Sequence, residues 1–135
     1  MGAAMAPAAL ETIKTHLEDM NTTADNYDLI VTGDLGQLGK DLLLEMAQKE
    51  GLNLGGKLAD CGTIVFDQKT QDVHAGGSGC GCSAITLCGY LLGQLQDKIM
   101  RKILFCGTGA LLSPTSTQQG LPIPGVCHAV CIEGE

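Results

Sequence analysis

The residues best placed to do chemistry form the segment His74-Ala75-Gly76-Gly77-Ser78-Gly79-Cys80-Gly81-Cys82-Ser83-Ala84. Glycines ahead of a helix let backbone N–H groups converge on one concavity, where the helix dipole favours an anion. That chemistry is carboxylate or phosphate binding, carried by Gly76, Gly77, Ser78, Gly79 and Cys80. No Gly-Lys-Ser/Thr follows, so the segment is not a P-loop, and it lacks the GxGxxG spacing. The same glycines fit equally well a tight turn packed under a neighbouring helix. Thr108-Gly109 joins the candidate list because it follows the apolar run Ile103–Cys106. Sheets of alternating α/β proteins bind ligands beyond strand C-termini.

Seven cysteines are present, at positions 61, 80, 82, 88, 106, 127 and 131. Cys80 and Cys82 sit where a helix start favours a thiolate. With His74 or His128 near in space they would make a Cys/His acyl-transfer site. Small buried cysteines also serve simply as apolar filler. Neither Cys80-x-Cys82 nor Cys127-x3-Cys131 has the paired spacing of a structural zinc site, so no metal is expected. Cys127 and Cys131 share a strand face with Ala129, a core pattern. His128 alternates with Val126 and Val130, as a satisfied core or interface histidine would. His16 reads as a surface or boundary residue, and Asp34 and Asp60 as turn residues.

These residues need a frame. Leu10, Ile13, Leu17 and Met20 recur at helical spacing, predicting a helix from about residue 8 with Pro7 near its first turn. Leu29-Ile30-Val31 predicts a buried strand. Lys40 to Glu50 predicts a helix that Gly51 stops. Thr63 to Phe66 reads as a strand, with Val73 to Ala75 as its hairpin partner across a polar turn. Cys82 to about Gln96 reads as a third helix with Ile85, Cys88, Leu92 and Leu95 on its apolar stripe. Ile103 to Cys106 and Val126 to Ile132 read as strands, joined by the loop Ser113 to Pro124. Helices alternating with apolar strands predict one layered α/β domain over 1–135, with a mixed sheet. No strand precedes the first helix, so the chain reads as starting partway through a fold.

Composition excludes several function classes. Of 135 residues, 44% are apolar and 17% charged, which excludes intrinsic disorder. The net charge is −7, with 8 basic against 15 acidic residues and no Lys/Arg cluster. Nucleic acid and anionic lipid surfaces are disfavoured partners for that reason. No apolar run reaches the about 20 residues of a membrane span. The start Met-Gly-Ala-Ala-Met-Ala lacks the basic flank of a signal peptide. The expectation is a soluble intracellular protein with reduced thiols and no cofactor.

Four separated runs then carry a resemblance: Met1 to Ala9, Tyr27-Asp28-Leu29-Ile30-Val31-Thr32-Gly33-Asp34-Leu35, Ala75 to Ala84, and Thr108-Gly109-Ala110-Leu111-Leu112-Ser113-Pro114-Thr115. In this order they resemble the C-terminal portion of the stage V sporulation protein AD family (SpoVAD), whose members resemble thiolases. The resemblance implies a thiolase-like C-terminal half with a mostly five-stranded sheet, its N-terminal half absent. It also implies binding of dipicolinic acid, with or without calcium, in the SpoVA channel machinery of the spore. The implied location is peripheral at the forespore or spore inner membrane, with other SpoVA proteins as partners. Thiolases carry Gly-His-Pro where Gly76-Gly77-Ser78 stands here, so Gly77 replaces the activating histidine. Their second cysteine turn falls near Thr108-Gly109, with Cys106 out of register. The expected function is therefore non-enzymatic ligand binding. Its rivals are a degenerate acyltransferase using Cys80 or Cys82, and a structural assembly subunit. The missing half, or a second copy, would cover the exposed apolar layer.

Overall fold

Met5, Ala9, Leu10, Ile13 and Leu17 lie buried along one stripe of α1 (Gly2–Asp19) in the computed structural model, which describes residues 1–135. The helix begins at Gly2, ahead of the expected start at residue 8, and carries Pro7 in its interior. An interior proline costs about 3 kcal/mol by removing one helical hydrogen bond. Burial of Met5, Ala6 and Ala9 around it offsets that cost.

The strand β1 (Leu29–Thr32) and the helix α2 (Gly36–Lys49) follow, with Gly51 in the left-handed region just beyond α2. The next strand corrects the sequence expectation. β2 is Leu58–Asp60, in parallel register with Ile30–Thr32 of β1, while Cys61–Ile64 form the short helix α3. The β-branched run from Thr63 is drawn out of the sheet because the Thr63 hydroxyl donates to the Asp60 carbonyl (2.8 Å) and Val65 N–H donates to the Cys61 carbonyl (3.0 Å). Val73–Ala75 is a turn and not a hairpin partner.

A continuous helical run comprises α4 (Cys82–Thr86), a π-helical turn (Leu87–Leu91) and α5 (Leu92–Gln96). Leu92 N–H donates to the Leu87 carbonyl, and this one-residue insertion rotates the buried stripe. Cys82, Thr86, Leu91 and Leu95 face inward, whereas Ile85 is 65% exposed and Cys88 is exposed. A strict 3.6-residue period misassigns that stripe because the period breaks at the π-turn.

β3 (Lys102–Ala110) and β4 (Gly125–Glu133) complete the sheet, with α6 (Pro114–Gln118) in the loop between them. The strand order is β2-β1-β3-β4; β1, β2 and β3 run parallel and β4 antiparallel to β3. The sheet is mixed, as expected, with four strands and not five. α1 and α2 cover one face around Ile30, Leu43 and Leu104. The α4–α5 run covers the other around Val31, Ile103 and Leu91.

That second cover stops short. Gly107 pairs with His128 and Gly109 with Val126, on the face where Val126 is 48% and Val130 53% exposed. His128 is thus an exposed residue on a bare sheet face and not a core histidine. Cys127 is buried beneath α1, but Cys131 on the same strand face is exposed toward the strand end. The accessible surface is 7810 Å², against about 6,700 Å² for a monomer of 14.0 kDa. The bare sheet face and the exposed aliphatics of the β3–β4 connection, such as Leu111, Leu112 and Leu121, contribute to that excess. No helix is long and apolar enough to cross a membrane.

Candidate functional site

The C-terminal ends of β1 and β2 converge on Thr32 and Asp60, both fully buried. Asp60 is a core carboxylate, more than a turn residue. Its Oδ1 accepts from Thr32 Oγ1 (2.6 Å) and Leu35 N–H (2.8 Å), and its Oδ2 accepts from Gly36 N–H (2.9 Å). These bonds anchor the first turn of α2 to the sheet, where the exposed N–H groups and helix dipole suit a negative group. Burial pushes the Asp60 carboxyl above its ordinary range, and the donors from Thr32, Leu35 and Gly36 partly oppose it.

The glycine segment closes over this junction. Ala75 carbonyl accepts from Gln37 N–H (2.7 Å), and Gly77 N–H donates to the Gly62 carbonyl (2.7 Å). A side chain at Gly77 would meet Val65 and Phe66, and one at Gly62 would overlap the Gly77 carbonyl oxygen. Gly76 and Gly77 therefore serve close packing against α3, the tight-turn reading of the segment. The second part differs. Nothing lies within 4 Å of a side chain placed at Gly79, and Gly81 meets only the tip of Ile85. The N–H groups of Ser78, Cys80 and Gly81 have no protein acceptor, nor have those of Ser83 and Ala84 in the first turn of α4. The loop's unused backbone donors are concentrated there.

Thr108 is drawn into the same cluster from β3. Its hydroxyl donates to Asp34 Oδ1 (3.0 Å) and accepts from Asp34 N–H (3.1 Å), while Asp34 Oδ2 accepts from Gly79 N–H (3.2 Å). Thr108, Asp34 and the loop thus meet, although Asp34 read from the sequence as a turn residue. Gly109 points its α-carbon to the opposite side, beside Val126. A signal for Asp34 existed in the run Thr32-Gly33-Asp34, an acidic residue immediately past an apolar strand end. Asp60 carried a weaker one, since its strand is only three residues long.

The cysteines divide by environment. Cys82 and Cys61 are buried on the α4 side; burial pushes the Cys61 thiol up to about 12 and raises Cys82, with the charges of Asp60 and Asp34 adding to both. The helix start does not yield a thiolate at Cys82, because desolvation and two carboxylates oppose one. No hydrogen bond joins Cys80 or Cys82 to His74 or His128 through their side chains. Iodoacetamide should modify Cys80, Cys88 and Cys131 within minutes in the native protein and leave Cys61, Cys82, Cys106 and Cys127 for denaturant. Mass spectrometry of the labelled peptides checks this, and rapid native labelling of Cys82 would contradict the burial. No group of three or more His, Cys, Asp or Glu side chains is arranged to hold a metal ion.

The fold and the cluster define a class: an open mixed α/β sheet whose parallel strand ends and a glycine loop present free backbone donors. Residues 1–133 match the family model described as stage V sporulation protein AD (SpoVAD), and the chain belongs to that family of sporulation proteins. It is 45% identical over 133 residues to the stage V sporulation protein AD of Bacillus subtilis (strain 168), covering 98% of this chain and 39% of that protein. The chain therefore spans about two-fifths of the length of this curated relative.

Proposed function

We propose that this chain contributes a non-enzymatic binding site for dipicolinic acid, a planar pyridine dicarboxylate, within the SpoVA machinery of the spore inner membrane. The observation that carries the reading is the Ser78–Ala84 segment, whose free N–H groups open a helical run at the ends of parallel strands. Such donors favour a carboxylate through both hydrogen bonding and the helix dipole. Asp34 already sits on Gly79 N–H, so a bare dianion meets a like charge there. The calcium complex of the ligand is neutral and avoids that repulsion, which favours it as the bound form. Thiol chemistry is disfavoured at Cys82 by its burial, and at the exposed Cys80 by the lack of a side-chain hydrogen bond to a histidine, with Gly77 in the place of the thiolase-like histidine.

A structural role has its own supporting observation in the bare face at Val126, His128 and Val130. The rest of a longer thiolase-like chain, rather than a homodimer, is the cover we propose, since the Bacillus subtilis relative extends well beyond the matched residues. Calorimetric titration of dipicolinate, with and without calcium, into this chain and into a protein of the relative's full length tests both roles. Saturable heat in this chain supports a self-sufficient loop site. Saturable heat only in the long form supports a composite pocket. Silence from both forms would remove the ligand reading and leave assembly as the function.

A further inference from the structure

We propose that Asp34 is the positioning residue of the glycine loop and the residue that sets its preference between a bare dicarboxylate and its calcium complex. The inference rests on the dicarboxylate reading above. Its basis is the way the loop is tied down. Residues up to Gly77 are fastened by Ala75 and Gly77 to α2 and α3. Beyond Gly77, the segment Ser78–Gly81 accepts from Cys82 N–H and Ile85 N–H of the helix it opens, and its one hydrogen bond to the strand side of the fold runs from Gly79 N–H to Asp34 Oδ2. That segment is the one with unused donors at Ser78, Cys80 and Gly81. Asp34 thus holds the part of the loop that would touch a ligand.

Asp34 is itself held by a reciprocal pair of bonds to Thr108 Oγ1, 74 residues away. The backbone beside it is pressed against β3. A side chain at Gly33 would lie 3.0 Å from Thr108 Oγ1 and 3.1 Å from Thr108 N. The carboxylate therefore spreads its two oxygens over two elements, β3 and the loop, from a fixed base at the end of β1. Such a bridge aligns the free N–H groups in advance of binding, which reduces the ordering cost of association. The same carboxylate is half-buried, so its charge is only partly screened where a ligand carboxylate would approach. A neutral calcium complex is penalised less than the dianion.

The first arm of the test needs no ligand. Amide hydrogen exchange at Ser78–Gly81 should quicken about tenfold in Asp34→Ala and in Thr108→Val, stay near wild type in Thr108→Ser, and worsen little further in the double variant. Unchanged exchange in both Asp34→Ala and Thr108→Val overturns the positioning role, whatever binds. The second arm uses whichever length of the protein binds dipicolinate. Asp34→Asn should narrow the ratio of affinities for the calcium complex and the bare dianion by about tenfold, at an unchanged melting temperature. An unchanged ratio overturns the specificity role. Quickened exchange in the two variants, with no dipicolinate bound by the wild-type protein of either length, would support the bridge and overturn the specificity role together with the ligand reading.

Discussion

Asp60→Ala should lose about 3–5 kcal/mol of folding stability, the largest effect expected of any single substitution in this chain. The carboxylate is completely buried and accepts hydrogen bonds from Thr32 Oγ1 and from the N–H groups of Leu35 and Gly36. Removing it leaves two N–H groups buried without an acceptor, each costing about 1–3 kcal/mol less relaxation, while the Thr32 hydroxyl falls back on the Ala59 carbonyl at 3.2 Å. Against a typical total of about 5–15 kcal/mol, the variant stands near the edge of folding. Asp60→Asn keeps the shape but turns an NH2 toward N–H donors, so a loss of about 2–3 kcal/mol is expected in a variant that still folds. Urea unfolding curves of the two variants measure this, and a loss under 1 kcal/mol in both would refute the anchoring role assigned to Asp60.

The pH dependence of the same residue has an unusual sign. Burial raises the folded-state pKa of Asp60 above the unfolded value, against the opposing hydrogen bonds. A raised folded pKa contributes stability that is present below the unfolded value and lost as pH rises through the folded one. The advantage of wild type over Asp60→Asn should therefore be greatest near pH 4 and shrink toward neutrality. Most carboxylates that accept hydrogen bonds behave in the opposite way, because their folded pKa is lowered. Melting temperatures of both proteins across that range decide the point, and an advantage that grows with pH would show that the hydrogen bonds outweigh desolvation.

Gly62→Ala should cost about 2–4 kcal/mol and free the glycine segment from α3. The added carbon would overlap the Gly77 carbonyl oxygen and lie 2.9 Å from Asp60 Oδ2. Neither neighbour yields easily, since one is backbone and the other belongs to a carboxylate that three donors hold in place. Gly76→Ala meets the same interface from the other side, against Gly62, and adds the strain of a φ of 113°. Gly93→Ala is the control, because nothing lies within 4 Å of its added carbon and it sits in α5. There the change should raise stability by about 0.5–1 kcal/mol through helix propensity. Limited proteolysis at residues 73–81 together with thermal melting separates the two outcomes. A Gly62→Ala protein as stable and as protease-resistant as wild type would mean that the loop does not pack on α3 as described.

Much of this architecture was legible before the fold was known. The three-to-four-residue recurrence in α1, the Gly51 stop after α2 and the apolar runs of β1 and β3 specified a layered α/β chain, because these signals are local properties of the chain. The glycine segment and the helix it opens were legible for the same reason. β2 was hidden, since three residues ending in a buried aspartate show no period, while the neighbouring Thr63–Phe66 offered a false one. A strict helical period misplaces the stripe on the α4–α5 run because a π-turn inserts one residue, and the packing of Leu91 and Leu95 with Val31 and Ile103 goes with that insertion.

The amino-acid sequence by itself determined the class of fold, the positions of most elements and the place where free backbone donors could gather. The tertiary structure alone decided which of those donors remain free. Gly77 N–H is taken by Gly62, Gly79 N–H by Asp34, and those of Ser78, Cys80 and Gly81 are left over. It also turned Asp34 and Asp60 from turn residues into the groups that order the loop and the start of α2. The reason is the range of the interactions. Periodicity reports burial within a turn or two of chain, whereas Asp34 meets Thr108 across 74 residues and Asp60 meets Thr32 across 28. Hydrogen bonds over such separations are allotted only when the sheet assembles and brings the strand ends together.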